Sequence, residues 1–377
     1  MIPYFVMFGL VAAGVIICFI EDRFVRRAFQ GAYFIAVLIA LAGFAGLRSP
    51  GVDRDFPGYV EWFDLIRSGS APLFAWLRDP AFAGISWVVS RSGSSYSVVA
   101  FLYAVAGITA TWILAFSISL ERWATLLFYL FFCQFYVVWD MTEIRAAVAI
   151  PLMAVSLYLA CEGRRRHAVV VYLLALVFHF SAIVVLPLLV MIFAGVRFRS
   201  RLWLLAIAAA GAVAAVTMRS LIDLLSGLYR ISEYLNGGAE EHDLRVISWY
   251  ALAHLLAIIA ALYFWKKLSF HQRMAVVGCG IGLMCFVVFG WNTGLATRLL
   301  YIFDVYWLLI LLMILERLSG EARVLYVGLL FVFGLALFCK SLGYVQPYAV
   351  LEKWDASAAP SHGAHDIVDL SFQRLPA

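Results

Sequence analysis

Apolar runs long enough to cross a lipid bilayer recur over almost the whole length of this 377-residue chain. The hydrocarbon core is roughly 30 Å thick, and no backbone can enter it with unpaired N–H and C=O groups. Only helices or a closed barrel are therefore open to such segments. The runs are continuously apolar and do not alternate, which selects helices. With 65% hydrophobic and 14% charged residues and a mean hydropathy of +0.94, a soluble fold could not solvate its own surface. The sequence thus predicts an all-α polytopic transmembrane helix bundle.

About twelve spans are expected, near residues 3–20, 31–47, 95–119, 123–139, 144–160, 167–178, 181–195, 202–217, 246–265, 275–290, 299–315 and 324–339. The first run has no basic segment before it and no small-residue cleavage signal after it, so it reads as a retained span and not as a signal peptide. Basic clusters fall at Arg23/Arg26/Arg27, Arg122, Arg164/Arg165/Arg166, Arg197/Arg199/Arg201, Lys266/Lys267/Arg273 and Arg317/Arg323, each separated from the next by two spans. Such spacing is what the positive-inside rule produces when every second loop is cytoplasmic, and it puts both termini outside. The stretch from Ala168 to Ala194 is short for two spans. A single span, however, would strand one Arg triplet outside. A shallow hairpin turning near His179 is the reading that keeps the charge pattern.

This topology makes residues 1–340 one membrane domain with two external loops, 48–94 and 218–245, and an external tail at 341–377. The first loop mixes Trp62, Phe63, Phe74, Trp76, Phe82 and Trp87 with charges, which suits amphipathic helices lying in the interface. The tail, rich in Ala, Ser, Pro and His, is expected to be poorly ordered. The six cysteines lie in or at the ends of apolar runs with no CxxC pair, so they read as packing residues. The formal charge of +5 has no basic stripe interleaved with exposed aromatics, which excludes nucleic acid as a partner. Membrane lipids are the expected surroundings.

Four polar features interrupt the apolar pattern. Arg48-Ser-Pro-Gly-Val-Asp53-Arg54-Asp55-Phe-Pro-Gly-Tyr59 is a shaped loop at a membrane boundary. Its charges could position a phosphorylated ligand, bind a divalent cation or neutralise one another. Asp140-Met-Thr-Glu143-Ile-Arg145 is a charged break that puts an arginine at a helix start, against the macrodipole. A partner carboxylate at Glu143 or Asp140 is the plain alternative to a functional role. Phe178-His179-Phe180-Ser181 places an imidazole at the hairpin turn, where it suits a proton shuttle or a structural bond to a carbonyl. Arg298 opens a late span and is followed by Tyr301 and Asp304. His254, in mid-span, reads as an interhelical packing residue and is left out of the site. Loop charge alone assigns Arg48, Arg145, His179 and Arg298 to one side of the membrane. Three converging guanidiniums there suit a phosphate or pyrophosphate, most naturally a lipid-linked one.

These residues carry a resemblance to the EpsG family of exopolysaccharide polymerases, relatives of the Wzy-type O-antigen polymerases. Arg48, Gly51, Asp53, Asp55, Phe56 and Tyr59 are similar to its early Arg, Gly-x-Asp, aromatic and Tyr pattern. Ile144-Arg145 resembles its Ile-Arg-Gln helix start, with Ala146 where Gln is common. Phe178-His179-Phe180-Ser181-Ala182 followed by Leu186-Pro187 is similar to its Phe-His-x-Ser-Ala signature, and Arg298-Leu-Leu-Tyr301 to its late Arg-x-x-Tyr.

The resemblance implies a GT-C-like, multi-pass enzyme of the bacterial inner membrane with its active site and both termini facing the periplasm. It would join oligosaccharide repeats carried on undecaprenyl pyrophosphate. It implies no cofactor and no metal, and as partners the lipid-linked substrates, a flippase and a chain-length regulator. His179, Asp53, Asp55 and Arg145 become the expected catalytic residues, and Arg48, Arg145, Arg298, Tyr59 and Tyr301 the expected substrate and pyrophosphate contacts. Two other readings stay open. One is a metal-dependent GT-C transferase of polyprenyl-phosphate sugars, with Asp53-Arg54-Asp55 as its metal site. The other is a transporter or flippase for an anionic lipid-linked saccharide.

Overall fold

The structure is a computed structural model that describes residues 1–118, 121–225, 249–290 and 293–349, with backbone alone at 74–75, 78, 215–225, 249 and 293–295. Every regular element among them is helical. Seven helical segments are long and apolar enough to cross a bilayer: Ile2–Phe19, Arg23–Gly46, Tyr96–Ser117, Ile144–Cys161, Phe270–Val288, Ala296–Leu315 and Gly320–Tyr344. These coincide with seven of the expected spans. The other five fall on four shorter helices, Ala124–Phe131, Arg165–Phe178, Leu186–Phe193 and Trp249–Tyr263, and on Leu202–Leu225, whose fully described apolar part is Leu202–Ala214.

In chain order the α-helices are α1 (Ile2–Ala13), α2 (Arg23–Gly46), α3 (Phe56–Ser68), α4 (Leu73–Arg78), α5 (Pro80–Arg91), α6 (Tyr96–Ser117), α7 (Ala124–Phe131) and α8 (Ile144–Cys161). Then follow α9 (Arg165–Phe178), α10 (Leu186–Phe193), α11 (Leu202–Leu225), α12 (Trp249–Tyr263), α13 (Phe270–Val288), α14 (Thr293–Leu315) and α15 (Gly320–Ser341). α8 is the central strut, buried along nearly its whole length between its neighbours. α1, by contrast, is apolar on the outside as well, with Ile2, Phe5, Val6 and Ile16 exposed in its segment, which is what a lipid-facing helix shows.

α7 does not end cleanly. It widens into a π-turn over Phe132–Tyr136, and hydrogen bonds from Met141 N to Tyr136 O and from Glu143 N to Val138 O keep the five-residue spacing up to α8. Such widened turns swing side chains out of α register and often accompany functional sites. Here the widening leads straight into Arg145.

Side-chain contacts sort the connections onto two ends. At one, Glu121 meets Arg23 at 3.1 Å and Arg27 at 2.8 Å, and the Arg27 bond, seconded by Arg23, holds its carboxyl down to about 2. Arg165 reaches Phe193 O at 3.2 Å, Trp265 reaches Arg199 O at 2.9 Å, Arg317 reaches Gln272 at 3.0 Å, and His271 lies 3.5 Å from Glu162. All six basic clusters are in the connections at this end.

At the other end the loop after α2 is tied to the last described residues. Ser49 N donates to Ala349 O and Gln346 N to Val52 O, both at 2.9 Å. Tyr4 donates to Gln346 O at 3.1 Å, and Tyr348 stacks on Phe44 at 3.9 Å. The tail expected to be poorly ordered from 341 is therefore packed as far as 349, because Tyr348 fills the gap beside Phe44 and Tyr4. The rest of the tail, and most of the expected 218–245 loop, lie outside the described residues.

α9 and α10 form the hairpin that the charge pattern requires. His179 is extended, at φ −158° and ψ 121°, and ends α9. A 3₁₀ turn over Phe180–Val185 leads into α10, whose first turn carries Pro187. The loop 48–94 holds α3, α4 and α5. Phe56, Tyr59, Phe63, Phe82 and Val89 face inward from it, while Leu73, Leu77, Trp87 and Val88 are exposed.

The segregation of basic loops has a direct consequence for orientation. In intact cells, in a background with Cys339 replaced by Ser, an Arg54→Cys variant is expected to react with a membrane-impermeant maleimide. An Arg199→Cys variant is expected to react only after permeabilisation. The reverse pattern would invert the orientation.

Candidate active site

The site starts with a carboxylate that has no surface at all. Asp79 is fully buried at the start of α5, just before Pro80. A buried carboxylate is tolerated when it is paired and hydrogen-bonded. Asp79 receives both: the Arg145 guanidinium donates to its Oδ2, and His179 Nδ1 lies 3.0 Å from its Oδ1. One carboxylate thereby joins the loop 48–94, the start of α8 and the turn of the hairpin.

Arg145 is held by aromatic groups as well. Its Nε lies 3.3 Å from the Tyr59 hydroxyl, and its guanidinium carbon sits 5.4 Å from the Tyr59 ring and 5.3 Å from the Trp62 ring. Aromatic faces stabilise a cation that has given up water. The two rings come from one face of α3, and its start is fixed by Asp53, whose Oδ1 accepts from Asp55 N at 3.1 Å and Phe56 N at 2.9 Å. Pro57 in the first turn suits a helix start, where no amide partner is lost.

Around this junction lie further charges. Asp55, Glu143, Arg54 and Arg298 act on one another electrostatically, with Arg145 acting on Asp55 and His179 on Glu143. Burial raises the Asp55 carboxyl against the pull of Arg54, Arg298 and Arg145. Burial likewise raises Glu143, chiefly against Arg298. Arg298 itself is exposed on the first turns of α14. Three guanidiniums, of Arg54, Arg145 and Arg298, thus face three carboxylates, of Asp55, Asp79 and Glu143, with the half-buried His179 among them.

The structure separates Arg48 and Asp53 from this group. They form a closed pair at 2.6 Å with both side chains completely buried, and Arg48 also donates to Ala45 O. Asp53 has one oxygen on Arg48 and the other on two backbone amides. Both residues, expected to touch substrate, instead pin the loop that presents Tyr59. Removing one partner of such a pair costs about 3–5 kcal/mol because the other charge stays buried. The Asp53-Arg54-Asp55 run presents one carboxylate, Asp55, and not two. Among the described residues no group of three His, Cys, Asp or Glu side chains converges as a metal-ligand set. Tyr301 places its hydroxyl 3.3 Å from that of Tyr344 and acts electrostatically with Glu143.

Asp79, Trp62 and Arg54 were not among the expected site residues, although Trp62 and Arg54 lie in the loop marked from sequence. Asp79 is also the partner of Arg145, where the sequence offers Glu143 or Asp140 as the alternative to a functional role. Its one local signal is an acid directly before Pro80 in an otherwise apolar, aromatic stretch.

The site thus gathers cations, acids and one imidazole beneath an aromatic loop of a helical membrane protein. The chain belongs to the EpsG family, whose family model matches residues 31–350. That match takes in every site residue named above. The family is associated with glycosyltransferase-like polysaccharide polymerases. No curated protein and no solved structure matches the chain.

Because Asp55 and Glu143 hold their protons to higher pH than ordinary carboxyls, acidification adds positive charge to the site in the folded state. Inorganic pyrophosphate is therefore expected to bind more tightly to the purified protein as pH falls through the titration of these two groups. An Asp55→Asn/Glu143→Gln variant should bind at least as tightly and lose that increment, measured by calorimetry against wild type in the same buffers.

Proposed function

We propose that the protein is a polysaccharide polymerase that joins lipid-pyrophosphate-linked oligosaccharide repeats at the Asp79 junction, on the periplasmic face of a bacterial inner membrane. The observation that carries this is the contact of one buried carboxylate with both Arg145 and His179. It gives a proton acceptor and an anion-stabilising group one common anchor.

The roles follow from the donors. A carboxylate oxygen only accepts, so His179 Nδ1 carries the proton that faces Asp79, and in the neutral ring Nε2 keeps a lone pair. Fixing the tautomer in this way makes Nε2 a general base. It takes the proton of the acceptor sugar hydroxyl as that oxygen attacks the anomeric carbon of the donor repeat. The bond from the anomeric carbon to the pyrophosphate oxygen breaks, and the leaving lipid pyrophosphate keeps the electron pair. Its developing charge falls to Arg298 and Arg54, which are exposed, and to the open edge of Arg145. Their positions are set before the reaction, so little reorganisation is required. Trp62, which is half-buried, provides a face on which a sugar ring can pack, while the buried Tyr59 holds Arg145 from within. Asp79 touches neither substrate and acts by orienting the two groups that do.

Two other arrangements remain distinguishable from this one. A transferase using Asp55 with a divalent cation would need metal for turnover. A flippase would move substrate without making a glycosidic bond.

The test is polymer length in a strain whose only polymerase is this protein. His179→Ala is expected to reduce polymerisation by about 10²–10⁴-fold, the usual contribution of a general base. Arg298→Ala should give short chains at normal protein levels, and Arg145→Ala short chains with a lower level of protein, because Asp79 then stays buried without the guanidinium. Normal polymer from all three variants would reject the site.

A further inference from the structure

A second polar cluster lies inside the bundle, well apart in sequence from the Asp79 junction. Asp304 of α14 is fully buried, and both of its oxygens are taken by α12: Oδ1 lies 2.7 Å from His254 Nε2, and Oδ2 accepts from the Tyr250 hydroxyl. Tyr250 in turn accepts from Gln134 Nε2, which the π-turn after α7 brings to it. The His254 ring stacks on Trp307 at 4.3 Å. His254 Nδ1 lies 2.8 Å from Tyr250 O.

These contacts fix where the protons are. Tyr250 O is a carbonyl and can only accept, so Nδ1 must carry a proton. The Tyr250 hydroxyl spends its single proton on Asp304. That leaves the short axis between Nε2 and Oδ1, which needs one more proton. It sits on the imidazole, giving an imidazolium–carboxylate pair, or on the acid, facing a neutral ring. Both forms are neutral as a pair. Without that proton a bare carboxylate would face a lone pair in the membrane interior, where an unpaired charge is strongly disfavoured.

We infer that Asp304 and His254 form an intramembrane site that binds a single proton, and that this proton clamps α14 to α12 with Arg298 and Tyr301 held on the substrate side. Arg298, Tyr301 and Asp304 fall at three-residue intervals on α14, so fixing Asp304 fixes the roll of the helix that presents the other two. The groups facing the site from each neighbour are Tyr250 and His254 from α12, Gln134 from the π-turn, and the Cys279 thiol from α13, which interacts with Asp304. Tyr301 completes α14, and the Lys340 ammonium from α15 stands 4.7 Å over the Tyr250 ring. The positioning role rests on the polymerase proposal; the proton site does not.

Isosteric exchange separates a pair with the extra proton from one without it. In Asp304→Asn the side-chain amide donates to the neutral ring at Nε2 and its oxygen still accepts from Tyr250, so the variant keeps every bond and needs no bound proton. In His254→Gln the amide still donates to Asp304, but the compensating proton is gone and the carboxylate is left charged. The expected order of thermal unfolding midpoints for full-length protein in detergent places Asp304→Asn close to wild type and His254→Gln lower by several degrees. The His254→Gln/Asp304→Asn double variant should recover most of the loss. Polymer length in cells should follow the same order.

A neutral histidine donating from Nε2 to a plain carboxylate would reverse the first two. His254→Gln at or above Asp304→Asn would therefore overturn the proton site. Midpoints in the expected order with polymer length unchanged across the series would overturn its positioning role. The midpoints require no activity, so they read correctly even if the protein made no polymer at all.

Discussion

A carboxylate buried without partners is among the costliest things a chain can place near a membrane, and Asp79 resolves that cost by drawing two distant segments to itself. Arg145 and His179 lie 66 and 100 residues away from it in sequence. Their meeting at one side chain sets the relative placement of α5, α8 and the α9–α10 hairpin. The aromatic face of α3 then closes over the guanidinium. The site is thus a product of charge burial, and the helices around it supply the walls.

The same logic appears twice more with different outcomes. Arg48 and Asp53 close on one another with both side chains completely buried, so they act as a rivet for the loop. Asp304 and His254 also close on one another, but in a geometry that demands a proton as third component. The Asp79 junction leaves polar capacity toward the open side, at His179 Nε2 and around the exposed Arg298. Burial therefore sorts the charged residues into fasteners and reactants more sharply than their identity does.

Much of this architecture was legible in the sequence because it depends on averages over many residues. Hydropathy marked the helices, and the spacing of basic loops marked both the His179 hairpin and the ends of the bundle. The grouping of Arg145, His179, Tyr59, Asp55 and Arg298 at one end agrees with the side to which loop charge assigned them. Asp79 was not visible, since a lone acid among aromatics gives no sign of partners 66 and 100 positions away. Arg48 and Asp53 misled for the opposite reason. An exposed ligand-binding pair and a buried structural one have the same letters, and only packing against Phe56 and Ala45 tells them apart. His254 was set aside as packing because its carboxylate partner is on another helix.

Glycosyl transfer at the Asp79 junction, with lipid pyrophosphate as leaving group, is the reaction we propose. It is tested most directly by reconstituting the purified protein in liposomes with defined lipid-pyrophosphate-linked repeats, and counting released lipid pyrophosphate against new glycosidic bonds. The account predicts one released lipid per bond for wild type. It predicts near-complete loss of both for Asp79→Ala, with substrate binding retained through Arg298. Bond formation by Asp79→Ala at the wild-type rate, in protein that folds normally, would contradict it.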